Sequence, residues 1–519
     1  MNDSKLIRNA AGRLVPKKVN GKDVTPFMGV DKYHPKNLMA APKVKSCLDF
    51  PSDGNKLVKN LKEALVKAGI KNGMTISTHH HLRNGDALTN YLFDTIKELG
   101  IKNIRWFPSA SFSCHEYLKK YLEDGTIHHI EGSMNGPLGK YATEGKMKGT
   151  GVLRSHGCRY KTIQDGDVNI DIAVIAAPSA DSFGNANGLR GKSAFGPIGF
   201  ALGDSEFADK VIVVTDNLED FPCTPWHIQG NNVDYVVQIN SLGDPTKIIS
   251  GTTVLTKSPD RLLIAEYIAS FVEETGIMKD AFSFQAGAGG INLAFIENIK
   301  KRMRVKNIKA KFVRGGSTKY LVDMLEEGLT EFILDGQSFD LEGVRSLREN
   351  SNHVATSPFT SYNFHGKGNY ASMLDVVILG ATEVDINFNA NVVTHSDGYL
   401  LHGIGGWQDC MYAKCVILAV PSFRDRIPII VDEVTTLCAP GEMIDVVITE
   451  RGIAINPSRK DLLKKLSGST LPIRKIDDLK NEVFEICGTP EKPVVNKNAV
   501  VAIINWVDGT VLDSVFQIK

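Results

Sequence analysis

The chain of 519 residues is longer than one hydrophobic core supports, so two or more domains are expected. Its hydrophobic content of 42%, charged content of 23% and net charge of +1 are those of an ordinary soluble protein without a field that recruits nucleic acid. No apolar run reaches the roughly 18 residues of a membrane helix, and residues 1–46 lack the apolar segment of a secretory signal. A cytoplasmic protein without membrane or nucleic-acid partners is therefore expected.

Residues 1–50 predict an extended basic arm. Ten Lys and Arg residues face three Asp residues within positions 1–45. Prolines at 16, 26, 35 and 42 interrupt any helical periodicity. Such an arm either packs along the surface of its own chain or embraces another subunit, and the sequence leaves both possibilities open.

Beyond residue 57, short apolar runs alternate with helical patterns. The predicted buried strands span residues 171–177, 210–215, 233–239, 374–379, 416–420 and 444–449. The predicted helices span residues 57–68, 260–275 and 290–302. Alternation of this kind predicts an α/β fold with a parallel sheet.

An internal repeat relates two parts of the chain that lie about 200 residues apart. The segment 96–127 resembles the segment 299–330, with Ile104 matching Ile308 and Gly125 matching Gly328. The repeat predicts two similar open α/β domains, at residues 51–250 and 251–519, with the two isoleucines on equivalent strands. A ligand cleft is expected between the halves.

The predicted second half carries three glycine-rich turns. Glycines allow a ligand to approach the backbone closely, and helix N-termini offer N–H groups to an anion or oxyanion. A glycine turn of this kind can equally be a tight connection and nothing more. The three turns contain Gly287, Gly289 and Gly290, then Arg314, Gly315, Gly316 and Ser317, and finally Gly403, Gly405, Gly406, Gln408 and Asp409.

The matching turn of the first half contains three consecutive histidines, His79, His80 and His81, followed by Arg83. Neighbouring side chains on an extended chain point in opposite directions, so the three rings cannot close around one ion, and no metal site is predicted. Anion binding together with Arg83 and a structural role remain as alternatives. The eight cysteines occur singly without a zinc-ligand spacing, which is typical of reduced thiols.

Glu383 is the best-placed single carboxylate of the second half, at the end of a predicted strand. It is either a functional acid or an acceptor for a backbone N–H group. The sequence contains no G-x-S-x-G nucleophile motif, no phosphate-binding P-loop and no H-E-x-x-H metal motif.

Seven segments together resemble the citrate lyase alpha chain family. They are HHHLRNGD (79–86), NIDIAVIAAPSADSFGNANG (169–188), GDPTKI (243–248), FSFQAGAGG (282–290), LDGQSFD (334–340), NFNANVVTHSDG (387–398) and ITERGIAINP (448–457). The turns at 287–290 and 403–409 also resemble the wider acetyl-CoA hydrolase/transferase family. The resemblance implies two CoA-transferase-type domains of the NagB/RpiA/CoA transferase-like kind.

The resemblance also implies an activity and partners. The chain would convert an acetyl-carrier and citrate into a citryl-carrier and acetate. It would work in an oligomeric cytoplasmic complex with a beta chain that cleaves the citryl thioester and a gamma chain that carries acyl groups. No cofactor would bind tightly to this chain, because the reacting thiol belongs to a CoA-derived prosthetic group of the gamma chain, for which acetyl-CoA serves as an analogue.

One departure from the wider family concerns the mechanism. Many relatives use a glutamate that becomes covalently acylated ahead of a helix ending in a pattern like VVDLIEKG. The corresponding segment here is LVDMLEEG (321–328), and the place of the glutamate falls at about Gly315. The missing carboxylate predicts direct transfer, in which a citrate carboxylate, ionised at pH 7, attacks the acetyl thioester itself. A citramalate-specific transferase, an acyl-CoA hydrolase and a non-catalytic scaffold are the alternatives.

Three groups of candidate residues follow from the turns and the resemblance. The candidate catalytic residues are Gly315, Gly316, Ser317, Gly405, Gly406 and Glu383. The candidate thioester-binding residues are Gly287, Gly289, Gly290, Gly403, Gln408 and Asp409. The candidate substrate-binding residues are His79, His80, Arg83, Arg190 and Arg314.

Overall fold

The computed structural model describes residues 6–30, 32–33, 45, 49–249 and 253–519. Cys47, the predicted domain boundary at residue 250 and part of the predicted arm lie outside these residues. The bounds 51–250 and 251–519 therefore stay a prediction. Within the described part of the chain, no helix is both long enough and apolar enough to span a membrane.

The described part of the arm packs against the C-terminus of its own chain. It contains four short strands, β1 (Leu6–Arg8), β2 (Leu14–Pro16), β3 (Lys18–Val19) and β4 (Lys22–Asp23). The Asn9 side-chain amide donates to the backbone carbonyl of Val511 at 2.9 Å, and the Arg13 guanidinium lies 2.7 Å from the Asp513 carboxylate. Residues 6–30 thus take the first of the two roles expected of the arm.

The first half contains thirteen described strands and six described α-helices. The strands are β5 (Leu57–Val58), β6 (Thr75–Thr78), β7 (Ile104–Pro108), β8 (Ala110–Ser111), β9 (Ile127–Ile130), β10 (Ser133–Met134), β11 (Gly151–Leu153), β12 (Ile172–Ala176), β13 (Ser179–Asp181), β14 (Ala186–Asn187), β15 (Lys210–Thr215), β16 (Leu218–Glu219) and β17 (Tyr235–Gln238). The helices are α1 (Leu61–Lys67), α2 (Leu88–Glu98), α3 (Lys119–Glu123), α4 (Pro137–Thr143), α5 (His156–Gln164) and α6 (Gly199–Phe207).

The second half contains sixteen described strands and seven described α-helices. The strands are β18 (Ser283–Ala286), β19 (Ala310–Ser317), β20 (Thr330–Ser338), β21 (His353–Ala355), β22 (Val376–Leu379), β23 (Glu383–Asp385), β24 (Ala390–Asn391), β25 (Val416–Ala419), β26 (Phe423–Arg424), β27 (Ile427–Pro428), β28 (Ile430–Val431), β29 (Val446–Thr449), β30 (Gly452–Ile455), β31 (Ile473–Arg474), β32 (Val495–Asn505) and β33 (Val511–Ile518). The helices are α7 (Pro259–Glu274), α8 (Gly290–Lys306), α9 (Lys319–Glu326), α10 (Leu341–Glu349), α11 (Pro358–Ser361), α12 (Lys460–Lys465) and α13 (Ile476–Cys487).

Each half is built on one large sheet, and the two sheets share a strand order. The first sheet runs β5-β17-β15-β12-β6-β7-β9, and all its pairings are parallel. The second runs β21-β20-β19-β18-β22-β25-β29-β30-β31, and only its β29–β30 pairing is antiparallel. The series β17-β15-β12-β6-β7-β9 thus corresponds to β29-β25-β22-β18-β19-β20. The predicted α/β fold with two similar halves is confirmed.

The local structure repeats as well, but the sequence match of Ile104 with Ile308 is wrong in register. Helix α2 ends with the Ile101 N–H donating to the Ile96 carbonyl, and helix α8 ends with the Ile308 N–H donating to the Met303 carbonyl. Ile308 is therefore the counterpart of Ile101. The first half has one more residue between this helix end and the next strand, which begins at Ile104 in β7 and at Ala310 in β19.

Two features of the fold differ from the expected elements. Residues 57–58 form the edge strand β5, and helix α1 begins only at Leu61, where Asn60 caps it by accepting a hydrogen bond from the Glu63 N–H at 2.9 Å. The C-terminal strands β32 and β33 form an antiparallel hairpin, and β32 pairs in parallel with β11 of the first half. The end of the chain thus ties the second half to the first.

Candidate active site

A cavity of about 280 Å³ lies where the two halves meet, at the carboxyl ends of β18, β19 and β22. Open α/β sheets bind ligands at this edge. The first half contributes His156 and Phe200 to its wall, and the second half contributes the rest. The rest are Gln285, Gly287, Ala288, Asn292, Arg314, Gly315, Gly316, Gly336, Gln337, Phe339, Tyr362, Ile378, Leu379, Gly380, Ile404, Gly406, Trp407 and Cys410.

Helix α5 presents His156 to the cavity from its first turn. Ser155 caps the helix, because its hydroxyl accepts a hydrogen bond from the Cys158 N–H at 3.1 Å. The His156 N–H donates to the Gly405 carbonyl at 2.9 Å, which joins the helix start to the glycine turn of the other half. Phe200 packs on the His156 ring with the centroids 4.2 Å apart. Burial lowers the pKa of His156 to about 3, so the ring is neutral at pH 7.

Gly315 and Gly316 lie at a bulge of strand β19, and both line the cavity. Gly315 has a φ of +140°, and a Cβ atom there would lie 2.6 Å from the Ala286 carbonyl oxygen. A Cβ atom on Gly316 would overlap the Phe339 ring. The backbone therefore leaves no room for a glutamate at the place where the resemblance puts it in relatives.

Arg314 brings a positive charge to the cavity wall. Its side chain is 1% exposed, and its Nε and Nη1 atoms have no hydrogen-bond acceptor among the described residues. The guanidinium carbon lies 4.9 Å from the centre of the Tyr362 ring, and Arg314 forms no ion pair with a carboxylate of the described residues. A buried cation without a carboxylate is costly, so Arg314 favours an anionic ligand.

Arg83 lies behind the same wall. Its guanidinium stacks between two aromatic rings, 4.5 Å from the centre of Phe339 and 5.2 Å from the centre of Phe112. Burial lowers the pKa of Arg83 to about 10, which keeps it charged at pH 7. Its Nε atom finds no partner in the described part of the chain. Since Phe339 lines the cavity, Arg83 adds to its positive potential.

The three consecutive histidines have three different environments. His79 Nε2 lies 3.0 Å from the Asp204 carboxylate, His80 Nε2 lies 3.0 Å from the Gln337 amide oxygen, and His81 stacks on Phe195 at 4.9 Å. Burial lowers the pKa of all three rings. His80 contacts the wall residues Gln337 and Phe200, and His81 stacks on Phe200, whereas His79 pairs with Asp204. No group of three ligating side chains that could hold a metal ion occurs among the described residues.

The glycines of the predicted turns divide into two groups. Gly287 and Gly406 line the cavity directly, as Gly315 and Gly316 do. The others position the turns without lining the cavity. In this second group, a Cβ atom on Gly403 would clash with Ser133, one on Gly290 would lie 2.8 Å from the Val254 carbonyl oxygen, Gly405 has a φ of +60°, and Gly289 caps helix α8.

Asp409 and Gln408 hold the turn in place. Asp409 accepts hydrogen bonds from the Ser155 hydroxyl at 2.7 Å and the Gly157 N–H at 3.0 Å, so it binds the start of helix α5. Burial raises the pKa of Asp409 to about 7. The Gln408 amide donates to the carbonyls of Cys438 and Asn505 at 2.9 and 3.1 Å. Neither residue lines this cavity; both make structural contacts, and their thioester contact stays a prediction.

Three further candidates lie away from the cavity. Ser317 is fully buried, and its hydroxyl donates to Asp335, which leaves no free nucleophile. Glu383 accepts hydrogen bonds from the backbone N–H and the hydroxyl of Thr435, at 2.8 and 2.9 Å, which is the structural alternative expected for it. The Nε and Nη2 atoms of Arg190 both donate hydrogen bonds to the Glu219 carboxylate. These partners use the polar groups that catalysis or citrate binding would need.

Several wall residues carried no signal in the sequence. His156 and Tyr362 come from segments without glycine turns, and the fold alone brings them to Arg314. Gln337 lies in the segment LDGQSFD, which entered only as part of the resemblance. Trp407 lies inside the predicted turn, between the candidate residues Gly406 and Gln408. Its indole N–H donates to the Gly380 carbonyl at 2.8 Å.

The wall offers little for covalent catalysis. No Asp or Glu is among the residues that line it in the described structure. Cys410 carries the only thiol of the wall, and burial raises the pKa of that thiol to about 12. A thiol with so high a pKa is a poor nucleophile at pH 7, because the thiolate is the reactive form. The cavity is therefore suited to binding reactants rather than to acylation of a side chain.

Comparisons with known sequences agree on one family. A model of the family described as citrate lyase, alpha subunit (CitF), matches residues 54–518. The citrate lyase alpha chain of Haemophilus influenzae is 38% identical over 494 residues, which cover 94% of this chain and 98% of that protein. The citrate lyase alpha chain of Escherichia coli K12 is 38% identical over 466 residues, which cover 89% and 91% of the two chains.

Comparisons with solved structures give the same grouping. A Streptococcus mutans chain, described as a citrate lyase alpha subunit and crystallised with citrate, matches with a TM-score of 0.94 at 39% identity, covering 98% of this chain and 100% of that one. A malonate decarboxylase alpha subunit from Acinetobacter baumannii matches with a TM-score of 0.60 at 15% identity, covering 83% and 88%. The second likeness concerns the fold alone.

Proposed function

The chain belongs to the citrate lyase alpha subunit family, and we propose that its cavity exchanges the acetyl group of a carrier-bound thioester for citrate, with release of acetate. As a member of this family it is an enzyme of the CoA-transferase type. The proposal rests on two features of this cavity. Arg314 supplies a buried positive charge without a carboxylate partner among the described residues, and the wall contains no carboxylate that could itself be acylated.

Citrate supplies the carboxylate that the wall lacks. One citrate carboxylate oxygen attacks the acetyl carbonyl carbon, the carbonyl electrons move to its oxygen, and the C–S bond then breaks so that the carrier thiolate leaves. The product of this step is a mixed acetyl–citryl anhydride. The thiolate next attacks the citryl carbonyl carbon, and the anhydride C–O bond breaks to release acetate. Neither step requires a net proton transfer, so no strong general base is needed.

The protein therefore contributes position, charge and exclusion of water. Arg314 and Arg83 would hold the remaining citrate carboxylates, because both are charged and lack carboxylate partners in the described structure. Gly287, Gly315 and Gly406 would let the thioester approach the backbone. No cofactor bound tightly to this chain is required. The thiol would come from the CoA-derived group of an acyl-carrier gamma subunit, in a complex with a beta subunit that cleaves the citryl thioester.

The direct test measures acetate release from acetyl-CoA. Separate reactions contain citrate, citramalate or no acceptor except water. The proposal predicts acetate release together with citryl-CoA formation with citrate only. Acetate release with citramalate only would identify a citramalate transferase. Acetate release without an acceptor other than water would identify a hydrolase. No acetate release under any of these conditions would leave only a scaffold role.

Arg314→Met should separate citrate binding from the rest of the site. Methionine fills similar space without charge, so we expect KM for citrate to rise about 10- to 100-fold, as for loss of one charge-assisted hydrogen bond. Steady-state kinetics at varied citrate concentration measure this change. Arg302→Met is the matched control, because Arg302 pairs with Glu266 and Glu273 away from the cavity. An unchanged KM in Arg314→Met would remove this arginine from the citrate site.

A further inference from the structure

Tyr362 lies at the centre of the site and has no role in the mechanism so far. It follows the short helix α11 and lines the cavity beside Gly406 and Arg314. Its hydroxyl oxygen would be 2.9 Å from a Cβ atom built on Gly406, so the hydroxyl lies directly beside the glycine backbone. The ring is 6.4 Å from the ring of His156, centre to centre.

Two hydrogen-bond donors lie side by side at this point of the wall. The Tyr362 hydroxyl interacts with the neighbouring Arg314 guanidinium, which can only donate, so its own O–H stays available to donate into the cavity. The Gly406 N–H donates to no described carbonyl, although the Gly406 carbonyl accepts from the Cys410 N–H at 3.2 Å. Both residues are half-buried at the cavity wall, so a ligand oxygen that enters beside them can accept hydrogen bonds from both donors.

We propose that the Tyr362 hydroxyl and the Gly406 N–H form an oxyanion site that stabilises both tetrahedral intermediates of acyl exchange. This inference rests on the proposed function and assigns Tyr362 as a catalytic residue of that same site. Donors placed where negative charge develops stabilise the transition state more than the ground state. A side-chain O–H opposite a backbone N–H supplies two such donors.

The same pair serves both steps. In the first, attack of the citrate carboxylate moves the carbonyl electrons of the acetyl thioester to oxygen, and the two donors bind that oxygen until the C–S bond breaks. In the second, they bind the oxygen formed when the thiolate attacks the citryl carbonyl. Tyr362 keeps its proton throughout, since burial raises the pKa of the phenol well above its ordinary value and outweighs the opposing effect of Arg314.

Tyr362→Phe tests the inference, because it removes one hydroxyl and keeps the ring. We expect kcat for acetate release to fall about 100-fold, with KM for citrate nearly unchanged, since the oxyanion exists only after attack. Tyr370→Phe is the matched control. Tyr370 packs on Phe312 with the centroids 6.0 Å apart and does not line the cavity, so its loss of a hydroxyl should leave kcat unchanged.

A second measurement keeps the test decisive if Tyr362→Phe lowers the thermal unfolding midpoint. Single-turnover transfer at saturating citrate and acetyl-CoA, measured well below that midpoint, separates the chemical step from loss of folded enzyme. Full kcat in a folded Tyr362→Phe enzyme, or an unchanged single-turnover rate, would overturn the inference. If the unmodified enzyme released no acetate with citrate, the proposed function would fail instead.

Discussion

Arg314 and Gly315 are adjacent in strand β19 and show how single residues define the site. Arg314 is buried with unpartnered N–H groups, and Gly315 adopts a φ of +140° that side chains rarely tolerate. A carboxylate at position 315 would both strain the backbone and neutralise the arginine. The same local structure therefore excludes a glutamate at position 315 and leaves the charge of Arg314 without a partner at the cavity wall.

Gly406→Val tests the second glycine turn at the same scale. A valine side chain would occupy the space beside the Tyr362 hydroxyl, since a Cβ atom at 406 already lies 3.3 Å from the Tyr362 Cζ atom. We expect transfer to fall by at least about 100-fold with little change in the thermal unfolding midpoint. Gly468→Val is the control, because a Cβ atom there would meet nothing within 4 Å. Full activity of Gly406→Val would place this turn outside the site.

The sequence predicted part of the residue-level picture. Gly287, Gly315, Gly316, Gly406 and Arg314 do line the cavity. Whether a charged side chain has a partner depends on contacts that are distant along the chain, and the sequence pattern does not contain them. Glu383 and Thr435 are 52 residues apart, and Arg190 and Glu219 are 29 apart, yet each pair is joined by hydrogen bonds. Such partners exclude residues that composition and position alone would favour.

At the scale of elements, the buried strands were predictable and their order was not. The central strands are continuous apolar runs bounded by turns, which is typical of parallel strands buried on both faces. Strand β12 was expected at residues 171–177 and spans Ile172–Ala176. The order β17-β15-β12-β6-β7-β9 needs chain crossovers that no local pattern specifies. The repeat revealed two similar halves. However, the letters KNI occur at 102–104 and at 306–308, and matching them aligned the strand start at Ile104 with the helix end at Ile308.

Asp204 joins three elements, and its titration gives a test of this packing. It lies in helix α6, accepts two hydrogen bonds from Arg159 of α5 at 2.6 and 2.7 Å, and lies 3.0 Å from His79 after β6. Burial alone would raise the pKa of Asp204, but Arg159 and His79 outweigh burial and lower it. The stability from this carboxylate is therefore present above its unfolded pKa of about 3.9 and is lost as pH falls through the lower folded value.

Asp204→Asn should lower stability by about 3–5 kcal/mol at neutral pH, as when one partner of a buried ion pair is removed. The difference in thermal unfolding midpoint between the unmodified protein and the variant should be constant above about pH 5 and narrow below about pH 4. Thermal unfolding measured from pH 3 to pH 8 provides the comparison. A difference that stays constant down to pH 3 would show that the carboxylate is not held by Arg159.

At the scale of the whole molecule, the site exists only because the halves are joined. The Gly405 carbonyl binds the His156 N–H, Asp409 binds Ser155 and the C-terminal strand β32 pairs with β11. The first two contacts lie beside the cavity, and the third ties the end of the chain to the first half. Contacts of this kind hold the two halves together around bound reactants, and the proposed anhydride intermediate requires that water be kept from it there.

The absence of an acyl-enzyme is the central claim of the proposed mechanism. It follows from the wall of the cavity, which contains no carboxylate and only the protonated thiol of Cys410. In the covalent alternative, acetyl-CoA alone would acylate the protein before citrate binds. In direct transfer, nothing happens until citrate arrives, because citrate supplies the attacking carboxylate.

The most direct measurement incubates the isolated chain with acetyl-CoA and without citrate, traps the mixture with hydroxylamine or borohydride, and maps the peptides by mass spectrometry. A parallel sample receives citrate and is assayed for acetate. We predict an unmodified chain in the first sample and rapid acetate release in the second. An acetyl or CoA adduct on Glu383, Cys410, Ser317 or any other side chain, formed as fast as turnover, would contradict direct transfer.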